Sequence, residues 1–167
     1  MSLKEEFELL RRVPMFAEIE PAKLKLLAFM SERVGFDPGK RLMRQGDPAD
    51  AAYLIIEGHA EVIVETAAGP VVVATPGPNE IVGEMGILCD EPRNATVCAK
   101  DRLVALRISK ELFKRMVREF PSMAVSIMQE LALRVTSTNN QLSASNNQLS
   151  AALNEIRRLR EQAGINT

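Results

Sequence analysis

The chain has 167 residues, 46% of them hydrophobic, which suits one domain with its own core plus an appendage. A net charge of −1 gives no broad basic field for nucleic acid, and the apolar content excludes a disordered chain. No apolar run approaches the roughly 20 residues that cross a bilayer, and the first six residues lack a secretory pattern, so the expectation is a cytoplasmic protein with no membrane contact.

In chain order, residues 3–12 set Leu3, Phe7, Leu9 and Leu10 among charges, and residues 20–32 repeat the pattern after Pro21, a favourable first-turn residue. Two short helices are expected there. From about Val34 the period changes to two. Strands are expected at 41–45, 52–57, 60–65, 71–74, 96–99 and 103–108, punctuated by Gly39, Gly46, Gly58 and Gly69-Pro70. Many short strands between turns indicate a small barrel or sandwich. Ser109 is a candidate N-cap for a helix over 110–119, and Phe120-Pro121 breaks that helix and begins another.

The last helix carries a seven-residue repeat. Val135, Leu142, Leu149 and Ile156 form one seam row, and Leu131, Thr138, Ser145, Ala152 and Leu159 form the other. Asn139 to Ala144 recurs as Asn146 to Ala151. A helix of roughly 40 residues is about 60 Å long, far beyond what one small barrel can cover, so its distal half calls for a partner. A parallel homodimer through a left-handed coil is expected, weak where the second row is polar and firmer near Leu159. The chain therefore divides into a barrel with flanking helices over 1–120 and a helical lid and dimerisation segment over 121–163.

Cys89, Cys98 and the single histidine, His59, supply neither metal-ligand spacing nor a disulfide framework. The thiols read as small packing residues, and His59, after Gly58 in a hairpin turn, reads as exposed. A lone turn histidine offers no nucleophile and base arrangement. The expectations are no enzymatic activity, no metal and no cofactor.

The informative segment lies between Ile81 and Val97. Gly83 and Gly86 allow close backbone approach, and the residues between them suit one helical turn whose first amides can face a small anion. Arg93 supplies a forked pair of donors for that anion. Glu84 is anomalous beside an anion unless it accepts a hydrogen bond from a hydroxyl on the same ligand. The ligand should carry a phosphate and a neighbouring hydroxyl.

Gly83-Glu84-Met85-Gly86-Ile87-Leu88, three residues, then Pro92-Arg93-Asn94-Ala95-Thr96-Val97 resembles the phosphate-binding cassette of cyclic nucleotide-binding domains. Pro38-Gly39-Lys40, Gln45-Gly46-Asp47 and Tyr53 to Gly58 resemble that family's first barrel turns, and the likeness covers roughly residues 8–137. It implies an α+β fold: an eight-stranded jelly-roll barrel with N-terminal helices and a long C-terminal coiled-coil helix. It also implies that Glu84 takes the ribose 2′-hydroxyl and Arg93 the exocyclic phosphate oxygens, with Met85 and Ala95 inside the same cassette. Members that lose the ligand typically lose the Glu or the Arg, and this chain keeps both.

Arg134-Val135-Thr136-Ser137 resembles the adenine-contacting run of bacterial cyclic AMP receptor proteins. The resemblance implies that Thr136 reads the base in its own subunit and Ser137 reads it across the dimer. Asn94 departs from the alanine and the serine common at that position, and could reach the phosphate or a syn guanine. The expected ligand is cyclic AMP, with cyclic GMP also accepted. Residues after Thr138 lack the clusters and turns of a helix-turn-helix module, so no DNA binding is expected. The leading function is a regulatory protein that couples the ligand to movement of a dimeric helix, with a protein effector as a candidate reader; the alternative is a ligand-independent coiled-coil adaptor.

Overall fold

The computed structural model describes residues 2–164, in two units: one up to Val125, the other from Ser126 onward. Helix α1 (Leu3–Arg12) begins at a capping box in which the Ser2 hydroxyl accepts from the Glu5 amide and the Glu5 carboxylate accepts from the Ser2 amide. Its buried residues are Phe7 and Leu10, while Leu3 is exposed. A 3-10 turn at Pro14–Phe16, not anticipated from the pattern, precedes α2 (Pro21–Met30) with proline in its first turn.

Eight strands follow: β1 (Glu32–Phe36), β2 (Arg41–Met43), β3 (Ala51–Glu57), β4 (Ala60–Thr66), β5 (Gly69–Ala74), β6 (Ile81–Val82), β7 (Thr96–Ala99) and β8 (Leu103–Ser109). They form two antiparallel four-stranded sheets, ordered β1-β8-β3-β6 and β2-β7-β4-β5. The core includes Tyr53, Ile55, Val82, Val97, Leu103 and Ala105. Phe36 meets Tyr53 edge to face, with ring centroids 6.0 Å apart.

Strand β3 is buried from Ala51 through Ile56, on both faces. It lies between β8 and β6 within its sheet, and α3 (Glu84–Cys89) and α4 (Lys110–Glu119) pack against it. That cover explains its continuous apolar run in place of alternation. Strand β2 ends at Met43, two residues short of the expected span, because Gly46 (φ 89°) turns the chain there. Strand β6 is two residues long, too short for any period to reveal.

Helix α4 is capped by Ser109, whose hydroxyl accepts from the Leu112 amide, and ends at Phe120 as the sequence predicts. Helix α5 runs from Pro121 to Gln162 without a break. Val135, Leu142, Leu149, Ile156 and Leu159 are exposed along it. One expectation fails: Cys89 is exposed at the end of α3, while Cys98 is half-buried on β7. The thiol at 89 lies where the short helix ends and has no core to pack into. His59 is exposed as expected, and Asp101 accepts from both its backbone N-H and its ring, at 2.7 and 3.1 Å.

Candidate functional site

Strand β6 runs into the site. After Val82 the chain turns through Gly83 at φ 85°, a left-handed conformation that a side chain resists, and enters α3 at Glu84. A Cβ on Gly83 would lie 2.7 Å from Arg93 Nη1 and from Met43 Cε. Gly86, inside α3, is constrained by space alone, since a Cβ there would lie 2.7 Å from the Ala49 Cβ. At both glycines, neighbouring protein atoms leave no room for a side chain.

Glu84 and Arg93 are the two buried charged side chains among the described residues, each 4% exposed. Glu84 occupies the first turn of α3, where the helix dipole favours a carboxylate. Arg93 follows the left-handed Asp90 (φ 51°) that ends α3. Its backbone is pinned on both sides: its N-H donates to the Asp47 carbonyl and its carbonyl accepts from the Gly46 amide, each at 2.8 Å. These two bonds tie Arg93 to the Gln45-Gly46-Asp47 turn.

The Arg93 guanidinium is well provided with acceptors. Nη1 donates to the Gly83 carbonyl at 2.6 Å, and Nη2 donates to the Ala51 carbonyl and to Asp50 Oδ1, the last at 3.3 Å. The other oxygen of Asp50 accepts from Arg107 Nη2 at 3.2 Å. Burial acts to lower the Arg107 pKa, but hydrogen bonds with Tyr53 and Asp50 outweigh it and hold the guanidinium above its ordinary value. One exposed carboxylate therefore joins an arginine of the cassette to an arginine of β8.

The structure brings Gly83, Glu84, Met85, Gly86 and Arg93 into one neighbourhood, with Asn94 exposed and Ala95 buried just beyond. At the exit of α3, Asp90 accepts from Lys114 at 2.6 Å and pairs with Lys110 at 3.2 Å. Hydrogen bonds from Lys114 and then Lys110 hold the Asp90 carboxyl below its usual range.

Arg134, Thr136 and Ser137 lie on α5 in the second unit. Arg134 donates to Glu130 one turn back at 3.0 Å, and the Thr136 hydroxyl donates to the Ala132 carbonyl at 3.0 Å. That bond uses the Thr136 proton and leaves its oxygen free to accept. Ser137 is exposed.

Sequence reasoning missed Asp50, the Ala51 carbonyl and Arg107. A single Asp before an apolar run carries no signal of its own. The antiparallel register that sets Ala51 beside Ser109 and Tyr53 beside Arg107 is what makes these residues neighbours.

Comparison with known proteins bears on this geometry. The family model for the cyclic nucleotide-binding domain matches residues 33–120. Among curated proteins, the cAMP-dependent protein kinase regulatory subunit of Dictyostelium discoideum is 35% identical over 118 residues, covering 68% of this chain and 36% of that protein. A CRP-like cAMP-activated global transcriptional regulator of Mycobacterium tuberculosis is 26% identical over 137 residues, covering 81% of this chain and 61% of that protein. The sensor domain of the transcriptional regulator DNR from Pseudomonas aeruginosa superimposes with a TM-score of 0.72 at 25% identity, covering 79% of this chain and 89% of that one. The chain spans 61% or less of the length of these two curated relatives. With more than half of its residues matched by the family model, with Glu84 buried in the first turn of the short helix and Arg93 buried beyond its end, this chain belongs to the cyclic nucleotide-binding domain family.

Proposed function

We propose that this chain is a regulatory module that binds cyclic AMP, accepts cyclic GMP, and couples occupancy to movement of a dimeric C-terminal helix. The observation that carries the reading is the buried pair Glu84, in the first turn of α3, and Arg93, just beyond its end. Arg93 offers the phosphate a charged fork, and Glu84 offers the ribose hydroxyl an acceptor. The amides near Gly83 to Gly86 add donors on the phosphate side. The strand orders β1-β8-β3-β6 and β2-β7-β4-β5 support reading the two sheets as a jelly roll.

Thr136 and Ser137 are assigned to the base, Thr136 as an acceptor from the adenine amine and Ser137 from the second subunit. Asn94, exposed beside Arg93, is assigned to the phosphate or a guanine. The boundary near residue 120 separates the barrel with its flanking helices from the lid and coil. The module is read as a binder without catalysis, because Glu84 and Arg93 suit recognition; a turnover assay on the cyclic nucleotide tests this.

A second reading, a ligand-independent coiled-coil adaptor, draws on one observation: Gly83, Ala51 and Asp50 already provide acceptors for the Arg93 guanidinium. Calorimetric titration of ligand-stripped protein with cyclic AMP and with cyclic GMP, beside an Arg93→Ala control, decides between the two. Micromolar or tighter binding that the control loses establishes the sensor. No binding of either nucleotide puts the adaptor first.

A further inference from the structure

We propose that the paired α5 helices are held parallel and in register by ion pairs between Glu155 of one chain and Arg160 of a second copy, and that the apolar seam alone does not set this register. This rests on the reading that α5 is the dimerisation element, and it specifies the surface that the second copy meets.

The helix is continuous over the whole repeat, so heptad positions can be assigned without interruption. Val135, Leu142, Leu149 and Ile156 occupy the a row, and Leu131, Thr138, Ser145, Ala152 and Leu159 the d row. Leu149 is 59% and Ile156 48% exposed, an apolar stripe with Asn140, Asn147 and Asn154 at the positions opposite it. A second copy covers this stripe with like residues: leucine on leucine at 142 and 149, isoleucine on isoleucine at 156.

Through its middle, that seam is nearly indifferent to sliding. Asn139 to Ala144 and Asn146 to Ala151 are the same six residues one heptad apart. A slip of seven residues, about 10 Å along the axis, sets Leu142 against Leu149, Leu149 against Ile156 and Ser145 against Ala152. Each of these three pairs is as compatible as the one it replaces, and the cost of the slip falls at the ends, where Leu131 meets Thr138 and Leu159 meets Ala152. Asn, the residue that fixes register when buried at an a position, stands outside the seam here, at 139, 140, 146, 147 and 154.

Flanking charge supplies what the seam lacks. In a parallel pair, a g residue faces the e residue five positions later on the partner. From 139 to 153 the flanking residues are Asn139, Gln141, Asn146, Gln148 and Leu153, all neutral. Glu155 is the one carboxylate of α5 between Glu130 and Glu161, it sits at g, and five residues on is Arg160 at e. Two-fold symmetry makes the contact twice. Within one chain Glu155 already accepts from Arg158 Nη2 at 2.6 Å, which holds the carboxylate on the helix surface. A slip of seven residues sets Glu155 against Leu153 and abandons the ion pair.

The test uses the full chain with Cys89→Ser and Cys98→Ser, so that introduced cysteines are the sole thiols. Light scattering measures the mass, and oxidation of Leu149→Cys protein tests for a 149 to 149 cross-link. Mixing differently sized Leu142→Cys and Leu149→Cys chains tests for the slipped 142 to 149 product. The expected result is a dimer with strong 149 to 149 product and little 142 to 149. Arg160→Glu should raise the slipped product severalfold, and Glu155→Arg combined with Arg160→Glu should restore the original pattern. A dimer lacking the 149 to 149 product, as in antiparallel pairing, overturns the proposal, as does a pattern indifferent to Arg160→Glu. A monomer at all concentrations removes the dimerisation reading beneath it, while calorimetry with cyclic AMP reports separately on the nucleotide site.

Discussion

Asp50 stands between two arginines, one oxygen 3.3 Å from Arg93 Nη2 and the other 3.2 Å from Arg107 Nη2. The Asp50 side chain is 68% exposed while that of Arg93 is 3% exposed, so the carboxylate is the solvent-side partner of a buried cation. An anionic ligand arriving at Arg93 meets a guanidinium already balanced by this carboxylate and two carbonyls. Asp50→Ala should therefore cost about 1 kcal/mol, small because Asp50 is exposed and screened, or roughly 2 to 4 °C in Tm for a chain of this size. Saturating cyclic AMP should stabilise this variant more than it stabilises the unaltered protein, since the phosphate replaces the lost charge. Thermal melts with and without nucleotide check this, and equal ligand shifts in both proteins refute it.

Arg93→Ala removes a buried fork and strands the Gly83 and Ala51 carbonyls. Cyclic AMP affinity should fall by about 2 to 5 kcal/mol, the usual cost of leaving a buried charge without its partner. Unchanged affinity in the titration would withdraw Arg93 from the site.

Glu84→Ala should weaken binding by less, roughly 1 to 3 kcal/mol for a charge-assisted hydrogen bond. The loss should be larger for cyclic AMP than for its 2′-deoxy analogue, because the deleted interaction is with the 2′-hydroxyl. Equal losses for the two nucleotides would place Glu84 elsewhere.

Gly83→Ala introduces a Cβ at φ 85°, 2.7 Å from Arg93 Nη1. The left-handed backbone alone costs roughly 1 to 2 kcal/mol, and the displaced guanidinium should add a loss of affinity. Urea unfolding and calorimetry on the same preparation separate these effects. Full stability together with full affinity would show that the turn tolerates a side chain.

Acid stability should carry the signature of Asp101. The backbone N-H of His59 and then its ring lower the Asp101 pKa from its usual 3.8. A carboxyl with a depressed folded pKa stabilises above its unfolded value, and that contribution is lost as pH falls through the folded one. Asp101→Asn should thus flatten the Tm profile below about pH 4. A profile identical to that of the unaltered protein would show that the His59 contacts contribute nothing.

Local pattern was enough for the helices, most strands, the division between a period of two and a period of seven, and the contiguous segment that holds the buried Glu84 and Arg93. Local chemistry suffices for these: Ser109 caps α4 by accepting from the Leu112 amide three residues on, and Gly83 takes the left-handed turn that glycine favours. The cassette from Gly83 to Ala95 is contiguous, so its spacing was legible without tertiary structure. The tertiary structure decided what surrounds Arg93. Asp50 and Arg107 lie 43 and 14 residues from it and arrive through the register of β3 and β8, which no local pattern encodes. Burial was decided the same way: β3 is covered on both faces because distant helices pack on it, while Cys89, apolar enough for a core, ends a helix at the surface. Periodicity reports which residues share a face, and only the assembled chain determines what that face meets.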